Sequence, residues 1–225
     1  MLYLVATPIG NLGDMTGRAQ KVLSDADVVL CEDTRVSRKL LQHIGVDTPL
    51  SVYHDFNKEK VTPRLVERLA AGERLALITD AGTPGIADPA FYLVREAIRA
   101  GIQVVPVPGA SAVTAALTAS GLPCDRFVFE NFLPPKSARR RRVLETFKHE
   151  KRTVVFYESP HRIEKVLADM RDVLGDVTVV IARELTKIHE EFLRGTPPEL
   201  LAHFEKKMPR GEMVVMLNTG YHCTA

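Results

Sequence analysis

A chain of 225 residues can form one large domain or two small ones, each with a core of its own. With 45% hydrophobic and 26% charged residues it has the composition of a soluble globular protein, and a net charge of +2 excludes a global electrostatic pull on nucleic acid, so any such signal must be local. No apolar run approaches the roughly 18 residues of a membrane span, and the N-terminus lacks the basic-then-apolar order of a signal peptide. Cys31, Cys124 and Cys223 are far apart, form no Cys-x-x-Cys pair, and read as unpaired thiols of a reducing compartment, so the expected location is cytoplasmic.

Residues 2–6 are continuously apolar, which suits a strand buried on both faces. A turn over residues 7–14 follows, and Thr16 is placed to cap a helix to about Ser24. Residues 27–31 form the next strand, ending in Glu32-Asp33-Thr34-Arg35, and a basic helix runs to His43 and stops at Gly45. A short strand at 50–53 precedes His54-Asp55-Phe56-Asn57, and Thr62-Pro63 opens a helix ending at Gly72. Residues 75–78 are again an apolar strand, followed by Thr79-Asp80-Ala81-Gly82-Thr83-Pro84-Gly85-Ile86-Ala87-Asp88-Pro89. That stretch is long for a strand-to-helix turn, and its two glycines can bare backbone to a ligand. Asp88-Pro89 reads as the cap and first turn of a helix over 90–100. A strand at 102–107 and an Ala-rich helix from Pro108-Gly109-Ala110-Ser111-Ala112 to Ser120 complete a β-α alternation. It predicts a largely parallel sheet with helices on both faces.

In a parallel sheet the turns at 7–14, 80–88 and 108–111 share the carboxyl edge, where open α/β sheets bind small molecules. The dinucleotide and phosphate-loop motifs do not fit. The first turn has Gly10-x-x-Gly13 rather than Gly-x-Gly-x-x-Gly, and no Gly-Lys dipeptide occurs. No histidines stand at His-x-x-x-His spacing, so no metal site is expected.

Gly121-Leu122-Pro123 marks a boundary between residues 1–121 and 122–225. After an aromatic strand at 127–132, Lys136 and Arg139, Arg140, Arg141 and Arg142 crowd the start of a helix that reaches about Lys148. The helix dipole disfavours cations there, so the run points to a polyanion such as RNA, the alternative being a solvated helix face. The strand at 153–157 ends in Glu158, and Ser159-Pro160 caps a helix containing His161 and Arg162. The strand at 177–182 ends in Arg183-Glu184-Leu185-Thr186-Lys187. Glu158, Arg183 and Glu184 either serve a ligand or form an internal ion-pair network, while Lys187 is placed to face a ligand. Strands at 192–195 and 213–217 flank a helix over 198–206, so the second half is also α/β.

Five stretches closely resemble the ribosomal RNA small subunit methyltransferase I family, of the tetrapyrrole-methylase superfamily. They are Ala6-Thr7-Pro8-Ile9-Gly10-Asn11-Leu12, Glu32-Asp33-Thr34-Arg35, residues 80–89, Tyr157-Glu158-Ser159-Pro160-His161-Arg162 and Arg183-Glu184-Leu185-Thr186-Lys187. The likeness spans residues 2–217. It implies two α/β domains with S-adenosylmethionine in the cleft between them, a homodimer, and 2′-O-methylation of a cytidine ribose at the decoding centre of 16S ribosomal RNA in the small subunit.

Carried over by position, the cofactor contacts are Pro8, Ile9 and Gly10, then Asp80, Ala81, Gly82, Thr83 and Ile86, with Ser111 and Ala112 beside the adenosine. Tyr157, Ala182, Gly211 and Glu212 match loops closing over it. Glu32, Asp33, Arg35, Lys187 and Glu190 would face the ribose, with neutral Lys187, Glu32 or Asp33 receiving its proton. Three departures stand out. Asn131 replaces a usual Gly, Val36 replaces a common His, and the sequence ends at Ala225 without the C-terminal helical extension of many members. The alternative readings are a tetrapyrrole methyltransferase and a non-catalytic RNA-binding assembly factor.

Overall fold

Five apolar strands build the first sheet of the computed structural model, which describes residues 1–221. They are β1 (Leu2–Val5), β2 (Val28–Cys31), β3 (Leu50–Val52), β4 (Leu75–Leu77) and β5 (Val104–Val107), all parallel in the order β3-β2-β4-β1-β5. Their side chains alternate between two cores, as the pleat requires. Val29, Cys31, Ala76 and Ile78 pack with Ala19 and Leu23 of α1 (Gly17–Asp25) and Leu41 of α2 (Thr34–His43). Leu30, Leu75 and Leu77 pack with Leu65 and Leu69 of α3 (Lys58–Ala70) and with Leu93 and Ala97 of α4 (Ala90–Arg99). Both faces are therefore covered, which is why the strands read as continuous apolar runs rather than alternating ones.

Local chemistry sets the helix starts. The Thr16 hydroxyl accepts from the Ala19 amide at 3.0 Å and Asp33 accepts from the Arg35 amide at 2.8 Å. Helix α3 corrects the expected start at Thr62-Pro63: it begins at Lys58, and Pro63 lies inside it. The His54 carbonyl receives the Asn57 and Lys58 amides while the Asn57 side chain accepts from the His54 amide at 2.9 Å, so the turn precedes Pro63, which as the sixth helical residue forgoes one intrahelical hydrogen bond.

The second unit runs from Ala112, because α5 (Ala112–Ala119) packs on the second sheet through β7 and β10. The chain thus divides after Ser111, ahead of the break at Gly121-Leu122-Pro123, which follows α5. The sheet comprises β6 (Phe127–Phe132), β7 (Thr153–Glu158), β8 (Val179–Arg183), β9 (Glu191–Gly195) and β10 (Met213–Leu217), ordered β6-β7-β10-β8-β9. Only the β6–β7 pair is parallel; the other three are antiparallel. Helices α6 (Ser137–Phe147), α7 (Ile163–Leu174) and α8 (Pro197–Lys206) bury Leu144, Phe147, Ile163, Leu167, Met170 and Phe204 against its Val154, Phe156, Ile181 and Val215. His161 and Arg162 precede α7 rather than lying within it, since the Ser159 carbonyl receives the Arg162 and Ile163 amides in a separate turn. Cys31 and Cys124 are free thiols, and Cys223 lies outside the described residues. No helix among the described residues is long and apolar enough to cross a membrane.

Candidate active site

The three polar turns of the first unit meet at the carboxyl edge of its sheet. Thr7 and Gly82 exchange both backbone hydrogen bonds, at 2.9 and 3.1 Å, and the Thr7 hydroxyl donates to the Thr79 carbonyl at 3.1 Å. Thr83 donates from its hydroxyl to the Ala110 carbonyl at 3.1 Å, tying in the third turn. Gly82 has φ of 89°, and a Cβ there would lie 3.4 Å from Ile9 Cγ2. The turns thus assemble backbone from three remote stretches. Pro8, Gly82 and Pro84 are buried, Ile9, Thr83, Ser111 and Ala112 half-buried, and Gly10, Asp80, Ala81 and Ile86 exposed.

Carboxylates converge on this edge. Glu32 is half-buried and accepts from the Thr79 hydroxyl at 3.0 Å. Burial raises its pKa above the ordinary carboxylate value, and the charges of Asp80, Asp88 and Asp55 add to the rise. Asp80 is likewise raised, by loss of hydration and then by Asp33. Asp88 is raised mainly by burial, while its carboxylate ties the Gly85 amide at 2.7 Å and the Ala90 amide at 2.8 Å. A cavity of about 10 Å³ lies between Glu32, Tyr53, Asp88 and the end of β4, room for one water. Asp33 behaves differently. Its hydrogen bonds from the Arg35 guanidinium, with Nη2 at 2.6 Å, hold it at about 2. Two neighbouring carboxylates are thereby set far apart in basicity.

In the second unit, Gly211 at φ 75° lies directly under Glu184, whose carboxylate a Cβ there would overlap. Glu184 pairs with Lys187 Nζ at 2.9 Å, and Lys187 remains exposed. Glu184 and Thr186 both adopt positive φ, 51° and 65°, a strained pair of non-glycine residues stabilised by Glu190 accepting from the Thr186 amide at 2.6 Å. Tyr157 is half-buried and its pKa is raised by burial and then by the Glu212 charge; Ala182 is buried in β8, and Glu212 is exposed. The internal network considered for Glu158, Arg183 and Glu184 does not form. Glu158 pairs with Arg162 at 3.2 Å, Arg183 with Glu191 at 2.6 Å and Glu184 with Lys187, each separately.

The basic run is not one surface. Arg140 is 3% exposed; Nε and Nη2 reach Asp169 at 2.8 and 2.6 Å, and Nη1 reaches the Pro134 and Pro135 carbonyls at 3.3 and 3.2 Å. Its expected role in gripping RNA is therefore corrected: it is a buried clamp of α6 on α7 with its donors occupied. Arg141 is drawn toward Asp169 and Asp172. Lys136, Arg139 and Arg142 are exposed and form no side-chain ion pair among the described residues. Sequence reasoning missed Thr79, which orients Glu32 across 47 positions of sequence, a separation that leaves no spacing signal.

A family model described as Tetrapyrrole (Corrin/Porphyrin) Methylases matches residues 1–201, so the class is that of a two-sheet α/β methylase. The cobalt precorrin-4 methyltransferase of cobalamin biosynthesis superposes with a TM-score of 0.69 at 20% identity, over 97% of this chain and 95% of that one. Diphthine synthase gives 0.75 at 17% identity, over 96% and 89%. These two likenesses concern the fold. At the level of sequence, proteins named ribosomal RNA small subunit methyltransferase I are much nearer. That of Synechocystis sp. is 49% identical over 96% of this chain and 78% of its own length, and that of Thermotoga maritima 46% identical over 96% and 97%. The chain belongs to the ribosomal RNA small subunit methyltransferase I family, within the tetrapyrrole methylases.

S-adenosylmethionine is the methyl donor of this family, and the residues present fit it. Half-buried Ile9 and Thr83 stand with exposed Gly10 and Ala81 at the sheet edge, a lining of mixed apolar and backbone character, and Glu32 and Asp80 are carboxylates with raised pKa whose ionised form a bound cation favours.

Proposed function

We propose that this protein transfers the methyl group of S-adenosylmethionine to the 2′-hydroxyl of a cytidine ribose at the decoding centre of 16S ribosomal RNA, in the small ribosomal subunit in the cytoplasm, as a homodimer. The observation that carries the reading is the near-50% identity to small subunit methyltransferase I over almost the whole chain. The contrast between Glu32 and Asp33 supplies the chemistry.

When bound, the donor supplies an electrophilic methyl carbon on a cationic sulfonium. The chain has to align it and receive a proton. Backbone of the Thr7–Gly10 and Gly82–Thr83 turns, with Ser111 and Ala112, holds the donor, and Asp80 and Glu32 offset its positive charge. A ribose hydroxyl has a pKa far above neutrality, so its proton leaves late, as the new bond forms. Among the candidate bases, Glu32 suits that task. Its carboxylate is raised in basicity and fixed by Thr79, whereas Asp33 is committed to Arg35 and Lys187 is an ion-paired donor to Glu184. Exposed Arg35 then meets RNA phosphate.

The test is transfer of labelled methyl to small subunits lacking the modification, to naked 16S RNA and to a tetrapyrrole precursor, with the modified nucleotide mapped. Label on one cytidine ribose is expected. Label on the tetrapyrrole alone would overturn the substrate. Glu32→Gln should lower turnover by roughly 10²- to 10⁴-fold, and Asp33→Asn by far less; the reverse order would reassign the base.

A further inference from the structure

The outer strand of the second sheet carries phenylalanines that the donor site does not account for, packed on Tyr157 of β7. In β6, Phe127 and Phe129 stand opposite Thr153 and Val155 of β7, but the register shifts between Phe129 and Phe132, so that Phe132 stands opposite Tyr157. Two residues, Glu130 and Asn131, occupy the space of one, and Asn131 takes φ of 61° to make the bulge. With strict alternation Phe132 would have fallen on the opposite face, with Phe156 and the core. The bulge returns it to the face of Phe129 and Tyr157.

The rings touch there. Phe129 meets Tyr157 edge-on with centroids 5.0 Å apart, and Phe132 lies at 5.5 Å and 53°. Phe132 is nonetheless 51% exposed and Phe127 41%, so burial of these rings is incomplete. Four residues further along the chain, Lys136 begins the exposed cations that Arg139 and Arg142 continue; four residues span at most about 14 Å. The connection is rigid: Arg162 Nη2 donates to the Leu133 carbonyl at 2.6 Å, and buried Arg140 holds the carbonyls of Pro134 and Pro135. A half-exposed ring followed closely in the chain by exposed cations is the chemistry that recognises an unpaired nucleotide, the base by stacking and its phosphates by charge.

We propose that Phe132, supported by Tyr157 and Phe129, is a stacking platform for an unpaired base of the RNA substrate, with Lys136, Arg139 and Arg142 on the adjoining phosphates. The inference rests on RNA being the substrate, and it adds a residue that positions the strand. The bulge at Asn131 is what creates the platform.

The direct probe is a single-stranded RNA oligonucleotide carrying a fluorescent base analogue, titrated with wild type, Phe132→Ala and Phe132→Tyr. Wild type should quench the probe, Phe132→Ala should bind it about 5- to 150-fold more weakly without quenching, and Phe132→Tyr should restore both. Replacing Lys136, Arg139 and Arg142 by Gln should flatten the dependence of log affinity on log salt by about 2. Equal binding by wild type and Phe132→Ala overturns the platform, as does absence of RNA binding by wild type. A Phe132→Ala variant that loses affinity for S-adenosylmethionine and not for RNA places the ring in the donor site instead. Failure of the broader reading is seen separately: wild type then transfers no methyl to small subunits, whatever the oligonucleotide binding shows.

Discussion

Replacing Arg140 by Met separates a buried clamp from a phosphate contact. In the structure its guanidinium hydrogen-bonds Asp169 through Nε, pairs with the same carboxylate through Nη2 and reaches two backbone carbonyls, and both side chains are almost wholly buried, at 4% and 9% exposure. Removing one partner of such a pair costs about 3–5 kcal/mol, most of it from the charge left behind. Asp169 retains Ser137 at 2.9 Å and Arg141 at 3.4 Å, which places the loss near the lower end, about 3 kcal/mol. With a urea slope of about 2 kcal/mol per molar, the midpoint for the second unit should fall by about 1.5 M. The transition is followed with a probe confined to the second unit, such as the Tyr157 region, because a chain of two compact units need not unfold in one step. The double variant Arg140→Met with Asp169→Leu should recover most of the loss, since a hydrophobic pair can replace a buried ion pair at little cost. Arg142→Gln, an exposed neighbour, should stay within about 0.5 kcal/mol of wild type. An Arg140→Met variant of unchanged stability and reduced salt-dependence of RNA binding would refute the clamp and restore Arg140 to the RNA surface.

Two further outcomes follow from backbone and charge. At Asn131, whose left-handed φ an L-residue with Cβ adopts at a cost of about 1–2 kcal/mol, Asn131→Ala should lose about 1 kcal/mol in urea unfolding while Asn131→Gly holds its stability; equal behaviour of the two would mean the bulge relaxes. For the carboxylates, Glu32 and Asp80 are raised in the fold, so the native state binds more protons than the unfolded chain. Their contribution to stability is complete below the unfolded values of 4.5 and 3.8 and is lost as pH rises through the native ones. Ionised carboxylates favour a cation, so affinity for S-adenosylmethionine should rise with pH across that window, measured by calorimetry. Glu32→Gln combined with Asp80→Asn should flatten the profile, and an unflattened one would remove both groups from the donor site.

Much of the fold was legible because short-range physics writes it into neighbouring residues. Continuous apolar runs at 2–5 and 75–77 mark doubly covered parallel strands, Thr16 and Asp33 announce helix starts, and the β-α alternation puts the turns at Thr7, Gly82 and Ala110 on one edge. The recurrence of five long motifs was enough to point to the family. Tertiary structure decided what depends on partners distant in sequence. Packing on β7 and β10 assigned α5 to the second unit, and Asp169, 29 residues away, turned Arg140 from an apparent RNA contact into a clamp. Glu32 and Asp33, adjacent in the chain, differ in basicity because one is buried beside Thr79 and the other is bound by Arg35. Phe132 faces Tyr157 only because a bulge shifts the register by one residue. Composition and spacing carry no record of such environments, since desolvation and charge pairing arise only where the chain meets itself.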